Sequence, residues 1–318
     1  MVDVTEKISA ALLPVIQSRI MLPVNPENPP SGFKQGKFMV FIGGGNGSGK
    51  TVINNLLFDE LEEEGYSRNY VAEFGSSIFD DILSNRALQI ARTRIEGFLH
   101  SAASSDEDHP PGFLKKVALK AFTIARTKAM DVGAPVVIDY HMHDAAFVKD
   151  CIEDARKHGY ECIMLSPHVD AEKIFSRIEG RFKRTGRPYK LDKILTRHRQ
   201  FAENIDDYLG MFDLSIILDN NTENSPPSVV AISHNGETTV FNQGVYDHAR
   251  RKANLNTSAT SAKDIWNGNT KQNPPENYQP KPRTLGMLAE KDNAAGEKSS
   301  HGSYVRMIEE YVQSKLSR

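Results

Sequence analysis

Cysteine, tryptophan, net charge and long apolar runs are all scarce in this chain of 318 residues. Its two cysteines, Cys151 and Cys162, are too few for a disulfide framework or a thiolate metal site. They suit a reducing compartment and read as small buried apolar side chains. A formal charge of −2 with a pI near 6.6 removes whole-protein attraction to nucleic acid or a membrane surface, although a local basic patch survives such an average. No apolar run approaches the roughly 20 residues that span a bilayer, and the N-terminus lacks the cationic start and apolar core of a signal peptide. The expected location is the cytoplasm. No internal repeat is present, and the lone tryptophan, Trp266, sits in a polar stretch where one aromatic says little.

Glycine, by contrast, is concentrated at one place. The apolar run Phe38-Met39-Val40-Phe41-Ile42 leads into Gly43-Gly44-Gly45-Asn46-Gly47-Ser48-Gly49-Lys50-Thr51 and then into a helical pattern. From Gly44 to Thr51 this is G-x-x-x-x-G-K-T, in the order strand, loop, helix that the motif requires. Each residue type has its own task. Gly44, Gly45, Asn46, Gly47, Ser48 and Gly49 form a loop whose backbone N–H groups can turn inward onto phosphate oxygens, and the following helix adds its positive dipole end. Lys50 neutralises β/γ-phosphate charge, and Thr51 supplies a hydroxyl for Mg²⁺. The chain is therefore expected to bind a nucleoside triphosphate, ATP or GTP, with Mg²⁺.

Four regions are expected. Residues 1–36 hold an amphipathic helix, with Ile8, Leu12, Val15, Ile16 and Ile20 on one stripe, followed by a proline-rich linker. Residues 37–250 form the main domain. Residues 251–300, rich in Asn, Lys, Pro, Ser and Thr, read as a flexible polar linker. Residues 301–318 read as a closing helix with Val305, Ile308, Val312 and Leu316 on one stripe. Within the main domain, strands are predicted at 38–42, 69–73, 135–139, 161–166 and 214–219. Helices are predicted from the P-loop onward (with Val52, Ile53, Leu56, Leu57 and Leu61 buried), through most of 76–130, and at 144–158, 170–184 and 190–208. Two runs flanking Asn235-Gly236 make a β-hairpin. This alternation gives an α/β fold: a P-loop kinase-type parallel sheet flanked by helices, with a terminal β-hairpin.

Ligands in such folds bind at the carboxyl ends of strands, where the P-loop, Glu73 and Asp139 fall. Asp139 ends a continuous apolar run, the position of a carboxylate near Thr51 and Mg²⁺. Glu73 ends the preceding strand, where a general base can stand. Arg177, Arg181 and Arg184 share one helical face, opposite Phe175, Ile178 and Phe182, and Thr185-Gly186-Arg187-Pro188 breaks the helix. An arginine-bearing lid over the triphosphate follows, with Arg197 and Arg199 on the next helix as further phosphate candidates. His141 and His143 could ligate a metal with Asp144, but substrate contact or loop packing fits them better because a third firm ligand is missing from the pattern.

On these residues the chain resembles the zeta toxin family of P-loop kinases over roughly 38–246. The marks are the P-loop, the strand ending at Asp139, Arg177-Ile178-x-x-Arg181 leading to Thr185-Gly186-Arg187-Pro188, Arg197-His198-Arg199-Gln200-Phe201, Leu218-Asp219-Asn220 and the final hairpin. The resemblance implies phosphorylation of a sugar hydroxyl, with UDP-N-acetylglucosamine as the acceptor class, and toxicity relieved by an antitoxin partner. It assigns phosphate and Mg²⁺ roles to Lys50 and Thr51, and phosphate contacts to Arg177 and Arg187. The chain departs from the family after the second strand, where a serine replaces the aspartate that acts as base and Glu73 is the nearest substitute. His141 to His143 also replace threonines beside Asp139. Two other readings stay open: a nucleotide-gated interaction protein without kinase activity, and a kinase acting on a nucleotide or nucleic acid terminus through the basic run 177–199.

Overall fold

The computed structural model describes residues 31, 33–75, 112–186, 189–223, 225–234 and 236–266. The N-terminal helix expected at 4–20, residues 76–111 of the expected helical stretch, Arg187 with Pro188, and the closing helix at 301–318 lie outside the described residues. In chain order the elements are β1 (Phe38–Ile42), α1 (Lys50–Glu63), β2 (Ala72–Gly75), α2 (Gly112–Asp131) and β3 (Val136–Asp139). Then follow α3 (Ala145–Lys157), β4 (Glu161–His168), α4 (Ala171–Thr185), α5 (Leu191–Glu203), α6 (Ile205–Met211), β5 (Leu214–Asp219), β6 (Ser228–His234), β7 (Glu237–Val240) and α7 (Gln243–Arg251).

The chain divides into two compact units, one of residues 1–37 and 65–138, the other of 38–64 and 139–318. In the first, Ala72 N donates to Pro135 O at 2.8 Å and Gly36 N to Gly133 O at 3.0 Å. Phe74 of β2 meets Phe122 of α2 edge to face, with ring centroids 4.8 Å apart. The expected strand at 69–73 is displaced: Arg68–Tyr70 is a 3₁₀ turn and pairing starts at Ala72.

In the second unit the strand order is β1-β4-β5-β6-β7. β1, β4 and β5 run parallel, with Val40 beside Ile163 and Ile163 beside Leu214. β6 and β7 add on antiparallel as the expected hairpin, where Gly236 takes the positive φ of 77° that the turn demands. The result is an α/β fold with a mixed sheet flanked by helices. All five residues of β1 are buried, as an unbroken apolar run requires of a strand covered on both faces.

The helices pack by their apolar stripes. In α3, Val148, Cys151, Ile152 and Ala155 are buried at helical spacing, and Asp144 caps the start by accepting from Phe147 N at 3.1 Å. Both cysteines are buried free thiols. In α1, Ile53, Leu57, Phe58 and Leu61 are buried, whereas Val52 is 46% exposed because it lies on the flank of that stripe. The single helix predicted at 190–208 is broken at Asn204, whose side-chain amide donates to Gln200 O at 2.7 Å and competes with the helical ladder.

The linker predicted from residue 251 is corrected over 251–266. α7 runs into 3₁₀ turns at Lys252–Asn254 and Ala262–Asp264. Leu255, Ala259 and Ile265 are buried against Ile174 and Ile178 of α4 and Ile194 and Leu195 of α5. These residues show no period because turns, not a helix or strand, deliver them to the core.

Candidate nucleotide site

The glycine loop joins β1 to α1 at the carboxyl ends of the parallel strands. Gly43 N donates to Leu165 O of β4 at 2.9 Å, and Asn220 N, just after β5, donates to His168 O at the end of β4 at 2.9 Å. A hydrogen bond from Tyr140 N to Ile42 O, 3.2 Å, ties the segment after Asp139 to the end of β1. Three strand ends and the Asp139 segment thus converge on the loop.

What orients the loop is a set of bonds to its carbonyls. Lys50 Nζ donates to Gly44 O at 2.9 Å and to Gly45 O at 3.2 Å. His198 of α5 bonds Asn46 O through Nε2 at 2.8 Å, and Arg177 of α4 donates to Gly47 O through Nη1 at 3.2 Å. Asn220 Nδ2 donates to Ser48 O at 2.8 Å. Five successive carbonyls, 44 to 48, are therefore each held by a side chain. The start of α1 adds N–H groups that geometry denies an intrahelical acceptor.

Two glycines are demanded by close approach. A Cβ on Gly45 would lie 2.4 Å from the His198 ring. A Cβ on Gly49 would lie 1.8 Å from Asn220 Nδ2, and Gly49 also holds φ at 101°. Asn220 is itself set by an Asx turn, in which Asp219 Oδ1 accepts from Asn221 N at 2.9 Å.

Charge gathers around Lys50. Its Nζ lies 3.9 Å from Asp139 Oδ1. Burial holds the Lys50 ammonium below its ordinary pKa; Asp139 acts in the opposite sense, and Arg197 and Arg181 add to the lowering. Burial also drives His198 well below the ordinary histidine range, so its ring is neutral and donates to Asn46 O from Nε2. His141 is likewise pushed well down, by burial first and then by Lys50 and Arg197.

The other predicted site residues are distributed as follows. Thr51 stands exposed in the first turn of α1. Glu73 belongs to the first unit, where it lies 3.7 Å from Arg68. Arg177 uses Nη1 on Gly47 O and Nη2 on Asn220 O, the latter at 2.7 Å, so its contacts are backbone carbonyls. Arg197 reaches Asn46 Oδ1 at 3.3 Å, while Arg199 is paired with Glu203 of its own helix at 2.8 Å. Arg181 and Arg184 are exposed. His198 and Asn220 are the loop-holding residues that sequence reasoning missed. The only prior signal of either was its presence in the segments that carry the family resemblance.

No protein-family model matches the chain, and no curated protein matches it. Among solved structures, a chain of the PezAT chromosomal toxin-antitoxin system of Streptococcus pneumoniae is 15% identical with a TM-score of 0.46, over 78% of this chain and 87% of that one. The AvrRxo1-ORF1:AvrRxo1-ORF2 complex with sulphate ions gives 14% and 0.48, over 77% and 72%. The same pair with ATP gives 14% and 0.48, over 77% and 71%. Among the described residues no helix is long and apolar enough to cross a membrane.

Proposed function

We propose that this chain is a kinase that transfers the γ-phosphoryl group of ATP or GTP to a hydroxyl of a small molecule. The acceptor class is a nucleotide sugar such as UDP-N-acetylglucosamine, which rests on the family resemblance of the sequence. The observation that carries the reading is the loop of residues 44–51, with its carbonyls held by side chains and Lys50 Nζ 3.9 Å from Asp139. Phosphoryl transfer asks a protein mainly to position the triphosphate and to offset charge, and this arrangement suits both tasks.

Lys50 would contact the β- and γ-phosphates. Their negative charge favours the protonated ammonium and opposes the lowering that burial imposes. Thr51 and Asp139 would hold Mg²⁺, since both offer the hard oxygens that this ion prefers alongside water and phosphate oxygens. When bound, the ion draws charge from the bridging phosphate oxygens. Of the two candidate carboxylates we assign the reacting site to Asp139, because it ends β3 and neighbours Lys50, whereas Glu73 is the second residue of β2, not its last as expected, and pairs with Arg68. Arg187 is assigned to the transferring phosphate on the resemblance alone. Arg177 is a positioning residue, acting through Gly47 O and Asn220 O.

A coupled assay of ADP release over a panel of nucleotide sugars tests the proposal. Wild type should turn over at least one acceptor, and Lys50→Met and Asp139→Asn should not. Unchanged ADP release by Lys50→Met would overturn it.

A further inference from the structure

A second cluster lies where β4 ends. His168 is the last residue of β4, Asp170 precedes α4, and His248 lies on α7. His248 Nδ1 is 3.2 Å and His168 Nε2 is 3.6 Å from the same oxygen, Asp170 Oδ1. The three ligand atoms lie within 4.8 Å of one another. His168 is only 4% exposed, and its Nε2 and His248 Nδ1 are both buried with no partner in good hydrogen-bond geometry, Asp170 Oδ1 being the oxygen they share. Two buried imidazole nitrogens converging on one carboxylate oxygen without good hydrogen-bond geometry are costly unless something else takes their lone pairs.

We infer that His168, Asp170 and His248 form a site for a divalent metal of the zinc class. A tetrahedral ion with bonds of roughly 2.0–2.1 Å holds its ligand atoms about 3.4 Å apart, a value that lies between the two observed separations from Asp170. Two imidazoles and one carboxylate suit zinc and its neighbours, whereas Mg²⁺ and Ca²⁺ select all-oxygen sets. The fourth position falls to water.

The neighbouring Lys252 ammonium is engaged by Val169 O. The ion would fasten the start of α4 to α7 and to the C-terminal turns that pack there, a bond between segments some 80 residues apart (168 to 248).

The molecule carries its own reporter. Trp266, the only tryptophan, has its ring centroid 5.6 Å from that of His248. Full-length protein, stripped with chelator, is titrated with Co²⁺ while tetrahedral visible absorption and Trp266 fluorescence are followed. One equivalent should bring up the absorption bands and quench the tryptophan, and Zn²⁺ but not Mg²⁺ should reverse both. Asp170→Asn and His248→Ala, which alter partly exposed side chains, should each weaken Co²⁺ binding by about 100-fold or more. Circular dichroism confirms that both variants fold. Absence of stoichiometric binding to wild type, or unchanged affinity in the folded variants, overturns the assignment.

Discussion

Replacement of Gly49 by alanine probes the loop at its tightest point. The residue holds φ at 101°, and the left-handed region costs an L-residue about 1–2 kcal/mol. The new Cβ would also lie 1.8 Å from Asn220 Nδ2, closer than any real contact, so the amide must leave. Its departure breaks the buried bond to Ser48 O, and an acceptor stranded in this way costs about 1–3 kcal/mol. The expected loss of stability in Gly49→Ala is the sum, about 2–5 kcal/mol. Asn220→Ala alone should lose only the bond, about 1–3 kcal/mol. In the double variant the bond is already gone and the steric conflict relieved, so Gly49→Ala should then cost only its backbone strain. The two substitutions therefore couple by about 1–3 kcal/mol, well outside the additivity of independent sites. Urea unfolding followed by circular dichroism measures all four corners of the cycle. Additivity within about 0.5 kcal/mol would refute the claim that Gly49 is fixed by Asn220.

Lys50→Met should weaken triphosphate binding by roughly 10- to 100-fold, the worth of a charge-assisted contact, and should lower stability by about 1–3 kcal/mol because Gly44 O and Gly45 O lose their donor. Equal affinity in calorimetry would contradict this. Arg177→Lys keeps the charge but cannot bond Gly47 O and Asn220 O together, so it should lose about 1 kcal/mol of stability and raise the nucleotide KM. A lysine variant that matches wild type in both would show the fork to be idle. The histidines predict acid sensitivity. His141 and His198 have folded-state pKa values well below 6.5, so as pH falls through 6.5 the unfolded chain takes up protons that the folded chain refuses, and stability present above that pH is lost. The urea midpoint should drop between pH 7.5 and 5, and less so in His198→Gln, which keeps a donor for Asn46 O; a flat profile would contradict the reading.

The loop, the strand ends and the hairpin are legible in the sequence because their causes are local. The spacing of Gly44, Gly49, Lys50 and Thr51 states its own geometry, an apolar run such as 38–42 states burial, and Asn235-Gly236 states a turn. What holds the loop is not local. His198 and Asn220 reach it from 152 and 172 residues away, and nothing in the run Asn220-Asn221-Thr222-Glu223-Asn224 marks one amide as the partner of Ser48 O. The polar composition of 251–266 concealed Leu255, Ala259 and Ile265, since three apolar residues delivered by turns show no period. The His168, Asp170 and His248 cluster was invisible for the same reason, with its third member on a different helix.

Arg177 shows how far a motif can be right about a residue and silent about its action. A cation near a triphosphate invites the reading of a direct phosphate contact, yet Nη1 and Nη2 are each engaged by a carbonyl, at 3.2 and 2.7 Å. Those bonds hold Gly47 O and fix Asn220, which in turn holds Ser48 O. The arginine thus helps to orient the N–H groups that would grip phosphate and need not touch phosphate to matter. The two modes of action separate kinetically. A contact made only in the transition state, once lost, lowers kcat and kcat/KM together by orders of magnitude. A brace on the loop, once lost, raises the nucleotide KM and lowers stability while kcat at saturation survives. Arg177→Ala should follow the second pattern. A kcat collapse at saturating nucleotide, with stability intact, would mean that the guanidinium leaves the carbonyls to meet the transferring phosphoryl group.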